Sequence, residues 1–196
     1  MALETELKFY ISDFSRIWES MEPFHPSCSG WYFEQNLVLD KDQDQLLAKD
    51  FLLRIRSARK NTLTLKMPPL ENSGCKQREE LETEVIDFEE TERIFSQLGY
   101  KARFRYEKFR NVCALDQVKV CLDILPFDAF VELEGPEKEL RKAAFNLGLD
   151  PEQGTAKTYH ELHQKYLKNA GLKPRPDFVF TREQKKALSY KLNVKL

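Results

Sequence analysis

Charged or polar and apolar residues alternate in seven separate segments of this chain, and no other feature limits its fold as much. In "LETELKFY", Glu4, Glu6 and Lys8 share one parity while Leu3, Leu7 and Phe9 share the other. A β-strand sends successive side chains to opposite faces, so each such segment is a strand with one charged and one apolar face. The pattern returns as Arg54 and Arg56 around Ile55, Thr64 and Lys66 around Leu65, and Arg78, Glu80, Glu82 and Glu84 around Leu81. It returns again as Lys108 and Arg110 around Phe109, as Asp123 in "KVCLD", and as Glu132 and Glu134 around Leu133.

Strands are predicted over 3–11, 31–39, 51–57, 62–67, 78–87, 103–113, 117–124 and 128–134. Short polar links such as "ARKN" and "ALDQ" suit antiparallel hairpins, and "MPPLENSG" at 67–74 reads as a loop. Helical spacing appears in "SDFSRIWESMEP", "FEETERIFSQLGY", "GPEKELRKAAFNLGL" and "TYHELHQKYLKNAG". Thr181 and Gln184 form a candidate capping box for a last helix in the basic tail.

A solvated antiparallel sheet would satisfy this alternation, and from spacing alone it is as good a reading as any other. Two features favour a charged face turned inward. Paired charges dominate where solvated faces usually mix in Ser, Thr and Gln, and the carboxylates concentrate on strands different from those of the guanidiniums. The inward set balances: Glu4, Glu6, Glu80, Glu82, Asp123, Glu132 and Glu134 against Lys8, Arg54, Arg56, Lys66, Arg78, Lys108 and Arg110 is seven of each sign. Buried charge is tolerated only when paired, hydrated or matched by a ligand. Eight strands are enough to close a barrel around one small ligand, with the amphipathic helices over the apolar outer face. The expected class is therefore α+β and β-dominated: a closed eight-stranded antiparallel β-barrel with helices packed outside.

The chemistry follows from the residue types. Carboxylates two apart on neighbouring strands make an oxygen-rich wall suited to Mg²⁺ or Mn²⁺. Arginine presents a planar fork to phosphate and lysine a point charge. A net charge of −1 argues against bulk binding of nucleic acid or of an acidic membrane. No apolar run reaches membrane-spanning length. The four cysteines, Cys28, Cys75, Cys113 and Cys121, lack CxxC spacing and read as reduced thiols of a cytoplasmic protein. His160 and His163 read as a surface pair, Trp31 as core or rim packing, and Tyr159 as a candidate hydrogen bond to the charged face.

Taken in order, Glu4-x-Glu6-x-Lys8, Arg54-x-Arg56, Thr64-x-Lys66, Arg78-x-Glu80-x-Glu82, Lys108-x-Arg110, Asp123 and Glu132-x-Glu134 resemble the CYTH superfamily of triphosphate tunnel metalloenzymes. "KTYHEL", with Lys157 and Tyr159, resembles that family's "SYxEL" closing helix. The resemblance spans roughly residues 1–170. It implies a solvent-open tunnel that binds a triphosphate with Mg²⁺ or Mn²⁺; the substrate would be tripolyphosphate, thiamine triphosphate or ATP. Carried over position by position, Glu4, Glu6, Glu80, Glu82, Asp123, Glu132 and Glu134 are the implied metal ligands. Lys8, Arg54, Arg56, Lys66, Arg78, Lys108, Arg110 and Lys157 are the implied substrate contacts, and Lys8, Glu82 and Asp123 the implied catalytic groups. Asp123 has a second reading, as the residue that orients a basic neighbour. Hydrolysis of a triphosphate is the leading expectation, cyclisation of ATP by a class IV adenylate cyclase the alternative, and a non-catalytic binding module the third.

The sequence departs from the family at Asn36 and Val38, near places where an acidic residue and a tyrosine often stand. The expected organisation is a tunnel domain at 1–172 followed by a basic tail at 173–196, with two readings for the tail: a lid over one tunnel mouth, or a contact between two copies of the chain.

Overall fold

A computed structural model describes residues 3–69 and 76–196, with side chains at 5–69 and 78–196. Most of the "MPPLENSG" loop and Cys75 lie outside the described residues, as does the side chain of Glu4. The nine strands are β1 (Leu3–Tyr10), β2 (Ser27–Cys28), β3 (Tyr32–Asp40), β4 (Leu52–Ser57), β5 (Asn61–Lys66), β6 (Lys76–Val85), β7 (Lys101–Leu115), β8 (Val118–Ile124) and β9 (Ala129–Glu134). All pair antiparallel in the order β2-β7-β3-β4-β5-β6-β1-β9-β8, and a further ladder joins β8 to β7. The architecture is thus β-dominated with five helices, as expected, while the two-residue β2 is a strand the alternation did not mark.

Parity sorts the side chains as the sequence implies. On the convex side, Leu7, Phe9, Val120, Leu122, Val131 and Leu133 pack under α1 (Ser15–Met21) and α3 (Glu137–Asn146), which contribute Ile17, Met21, Leu140 and Ala144. Leu37, Leu39, Leu53 and Ile55 pack under α2 (Phe88–Gln97) through Phe88 and Phe95. Each such side chain contributes about 1.5–3 kcal/mol when fully buried, so this face supplies most of the driving force for folding.

A third cluster sits at one end of the concave side, where Val38, Phe104 and Phe130 meet Tyr159 and Leu162 of α4 (Tyr159–Asn169) and Phe178. Here β1 and β7 run on past their neighbours, and other segments take up their free edges. Lys8 exchanges two backbone hydrogen bonds with Thr155, at 2.9 and 2.8 Å. Gly154 makes that approach possible, because a Cβ there would stand 2.6 Å from Leu7. Phe178 bonds likewise to Arg105 and Glu107 of β7, both at 3.1 Å. Glu107 then accepts from the Phe180 N–H at 3.1 Å and pairs with Lys185 at 2.6 Å. The capping box of Thr181 and Gln184 opens α5 (Arg182–Leu192) as its spacing predicts. The basic tail is therefore docked on its own sheet through these contacts.

Two sequence expectations are corrected. Cys28 and Cys113, directly opposite each other on β2 and β7, form a disulfide across 85 residues, so they are not reduced thiols; Cys121 is free and buried. Of the partly exposed surface pair expected at His160 and His163, only His160 is half-exposed. His163 is 1% exposed and stands among Phe127 and Phe178, while His160 stacks on Phe104. Among the described residues no helix is long and apolar enough to cross a membrane.

Candidate functional site

The charged parity of the strands lines a cavity of about 850 Å³ on the concave side. Alternate positions bring Glu6 and Lys8 from β1, Arg54 and Arg56 from β4, Lys66 from β5, Arg78, Glu80 and Glu82 from β6, Lys108 and Arg110 from β7, and Glu132 and Glu134 from β9 into its wall. Register sets the neighbours: Glu6 lies opposite Glu134, Lys8 opposite Glu132, and Arg54 opposite both Val38 and Thr64. Glu4 pairs with Arg78 along the β1–β6 ladder.

The most tightly bonded part lies on β7, β8 and β9. Arg110 donates Nε and Nη2 to the two oxygens of Asp123, each at 2.6 Å, and reaches Glu132 at 2.8 Å and Glu134 at 3.4 Å. Lys108 approaches Asp123 at 3.3 Å. The Tyr159 hydroxyl stands 2.6 Å from Asp123 and 2.9 Å from Glu132, with one proton to give between them. Burial, reinforced by those two carboxylates, pushes the Tyr159 hydroxyl well above the usual tyrosine range, so it remains a donor. Asp123 is fully buried, with its oxygens committed to Arg110, Tyr159 and Lys108.

Lys8 pairs with Glu6 at 2.7 Å and Glu132 at 3.4 Å. Burial alone would lower its pKa, but the Glu132 and Glu6 carboxylates outweigh burial and hold it raised. Glu6 is shifted upward, first by burial and then by Glu132, with which it shares a hydrogen bond. Two carboxylates crowded in this way are relieved by a proton or by a cation. The donors are all hard oxygens, which suits Mg²⁺ or Mn²⁺. Among the described residues no three potential ligands are grouped to hold an ion unaided. Mg²⁺ commonly takes only one or two protein carboxylates and completes its shell with water and substrate phosphate, so the set fits such an ion.

Across the cavity the pairing is looser. Arg54, 6% exposed, has neutral hydrogen-bond partners: the Tyr106 hydroxyl at 3.2 Å and Thr64 at 3.3 Å, with Glu82 only at 4.0 Å. Its Nε has no hydrogen-bond partner among the described residues. Burial would lower its pKa, but Tyr106 and Glu34 hold it raised, so the guanidinium stays charged. A buried cation with an unpartnered donor is costly, and a nearby anion would offset that cost. Arg56 bonds Asn36 at 3.2 Å and Glu34 at 3.4 Å. Lys66 pairs with Glu80, Arg78 donates to the Asp50 carbonyl at 3.3 Å, and Thr64 donates to Glu82 at 2.7 Å.

Sequence reasoning missed Glu34. It is buried, pairs with Arg56 and Lys108, and is bridged by the Asn36 amide at 3.0 Å. Burial would raise its pKa, yet Arg56, Lys108 and Arg110 hold the carboxyl far below the usual range. Glu34 stands two positions before Asn36, in phase with it; that spacing was the available signal. Lys157 is the opposite case: it is exposed, just ahead of the Thr158 cap of α4, and does not line the cavity. The substrate contact implied for Lys157 is not supported by that position.

A curled antiparallel sheet whose concave face brings carboxylates and buried cations together around a cavity is the class of structure this chain forms. The particular family follows from comparison: the CYTH domain matches residues 2–159, and the chain belongs to the CYTH family. A search of curated proteins found no match. Solved structures agree in fold. A protein of Pyrococcus horikoshii is 26% identical, with a TM-score of 0.68 over 81% of this chain and 98% of its own. A proposed adenylate cyclase from Vibrio parahaemolyticus is 16% identical, with a TM-score of 0.73 over 82% and 97%. A proposed adenylyl cyclase from Hippeastrum, described as having a dominant triphosphatase activity, is 19% identical, with a TM-score of 0.55 over 100% and 98%.

Proposed function

We propose that this protein is a divalent-metal-dependent enzyme that holds a triphosphate inside a tunnel of strands and hydrolyses its terminal phosphoryl group. The observation that carries the reading is Arg54, a buried guanidinium that lines a cavity walled by further cations, has neutral hydrogen-bond partners and keeps one buried Nε without a partner among the described residues. The ladder from β8 back to β7 supports treating the concave face as the wall of an eight-stranded tunnel, with β2 outlying.

In this reading Lys8, Arg54, Arg56, Lys66, Arg78, Lys108 and Arg110 receive the phosphate oxygens. Glu6, Glu132 and Glu134 would hold Mg²⁺ or Mn²⁺, with Glu4, Glu80 and Glu82 as additional oxygens. When bound, the metal would supply charge neutralisation and polarisation of the attacked phosphorus. Asp123 and Tyr159 fix Arg110 so that its fork does not have to reorganise when the substrate arrives. Glu82, its side chain about half exposed and anchored by Thr64, is placed to orient water. Water oxygen bonds to the terminal phosphorus while the bond to the bridging oxygen breaks. Orthophosphate leaves, and the bridging oxygen stays with the remaining diphosphate.

The test is incubation with Mg²⁺ or Mn²⁺ and, separately, tripolyphosphate, thiamine triphosphate and ATP. Orthophosphate release supports the proposal, and Glu6→Gln and Glu134→Gln should abolish it while the protein still folds. Cyclic AMP and pyrophosphate from ATP would replace hydrolysis with cyclisation. Absence of any product from the folded, metal-loaded protein would contradict both reactions.

A further inference from the structure

Tyr106 stands in phase with Lys108 and Arg110 on β7 and lines the same cavity. Its hydroxyl accepts from Nη1 of Arg54 at 3.2 Å. Thr64 supplies the second hydroxyl on that guanidinium, accepting from Nη2 at 3.3 Å. The two differ in the use of their own proton. Thr64 gives its proton to Glu82 at 2.7 Å, whereas Tyr106 has no acceptor for its own among the described residues. The Tyr106 O–H is therefore a spare donor beside a buried cation.

The charges around that proton favour an anionic acceptor. Burial would raise the Tyr106 pKa, but Arg54, Arg56 and Lys108 outweigh burial and Glu34 together and hold it below the usual tyrosine value. The same field strengthens the O–H as a donor and draws a negative oxygen toward it. A carboxylate in place of Tyr106 would orient Arg54 equally well but would cancel its charge. The neutral hydroxyl orients the guanidinium and leaves that charge for a ligand. An oxygen attracted by Arg54 thus meets a second donor already bonded to the same group.

The ring that carries this hydroxyl is held by the C-terminal segment. Phe178, 2% exposed, stacks on Tyr106 with centroids 5.0 Å apart and planes at 21°. Its main chain brackets Tyr106, the N–H donating to the Arg105 carbonyl and the carbonyl accepting from the Glu107 N–H. The Asp177 carboxylate accepts from the Arg105 N–H at 2.7 Å. Both residues lie beyond 2–159, the part of the chain that matches the CYTH domain. We propose that the Tyr106 hydroxyl donates to a phosphoryl oxygen of the bound triphosphate, and that Phe178 of the C-terminal segment is the positioning residue that aims it. The inference rests on the triphosphate reading above and adds these two residues to it. A donor fixed in advance by stacking costs less to order when the ligand arrives.

Equilibrium titration of tripolyphosphate with Mg²⁺ into the full chain, Tyr106→Phe, Phe178→Leu and the double variant tests the assignment. Tyr106→Phe keeps the stacked ring and removes the hydroxyl alone. Its affinity should fall about tenfold or more, the size of a hydrogen bond to a charged group, while the protein still folds. A hydroxyl that served only to satisfy Arg54 would give the opposite sign, because its loss leaves that cation a further unpartnered donor. Phe178→Leu should weaken binding several-fold in the wild-type background and leave it unchanged in the Tyr106→Phe background, since Phe178 acts through the hydroxyl. Unchanged or tighter binding by folded Tyr106→Phe would overturn the contact and leave the triphosphate reading intact. An equal effect of Phe178→Leu in the two backgrounds, including none in either, would overturn the positioning role. No binding of tripolyphosphate by the folded wild type would bring down the triphosphate reading, and this inference with it.

Discussion

Replacing Asp123 with Asn separates two roles that the sequence left open. The substitution keeps the volume but removes a charge and turns one acceptor into a donor. Arg110 would face an amide N–H₂ where it now has a carboxylate oxygen at 2.6 Å, and Tyr159 and Lys108 would lose a charged partner. Removing one member of a buried ion pair costs about 3–5 kcal/mol, and the retained Glu132 and Glu134 contacts place this case at the lower end, about 3 kcal/mol. For a domain of this size each kcal/mol is about 2–4 °C, so a fall in Tm of roughly 6–12 °C is expected. The assay is calorimetric melting of both proteins in excess EDTA, where metal contributes nothing. A fall of less than about 2 °C in EDTA, with loss of the stabilisation given by Mg²⁺, would refute the orienting role and make Asp123 a metal ligand.

Other consequences can be checked on the purified protein. The Glu34 carboxyl is held far below its unfolded pKa of about 4.3, so its stabilisation is present above that pH and is lost as pH falls below it. Melting from pH 7 to pH 3 should show a steeper acid loss in the wild type than in Glu34→Gln, and parallel curves would contradict the pairing. Cys28→Ser should lower Tm under oxidising conditions by an amount corresponding to about 2–4 kcal/mol; the difference should shrink in reductant, and a reductant-independent effect would exclude the disulfide as its cause. Phe178→Ala should destabilise the whole domain by about 3–5 kcal/mol, because this side chain is 2% exposed among Tyr106, Phe127 and His163. A negligible effect would mean that the C-terminal segment is peripheral.

The strands were legible because nearly every one carries its own inward and outward parity, and a one-residue slip would exchange charge for core. Their observed limits differ from the expected ones by a residue or two, as for 31–39 against Tyr32–Asp40. Capping was legible where side chain and backbone answer each other locally, as at Thr181 and Gln184. Long-range facts were not. β2 has two residues and no alternation to read, and its disulfide partner lies 85 positions away. Glu34 sat in phase with Asn36, but aromatic Tyr32 and Phe33 fall on both parities just before it and blur the period. Lys157 was placed by resemblance alone, and helix geometry leaves it ahead of the cap and in water.

The central claim is that cations from separate strands jointly grip a chain of phosphates, and calorimetric titration of tripolyphosphate with Mg²⁺ into wild type and Arg54→Ala measures it most directly. Saturable one-to-one binding by the wild type and a loss of at least tenfold in the variant are expected, with both proteins folded. Equal affinity in the two folded proteins would contradict it.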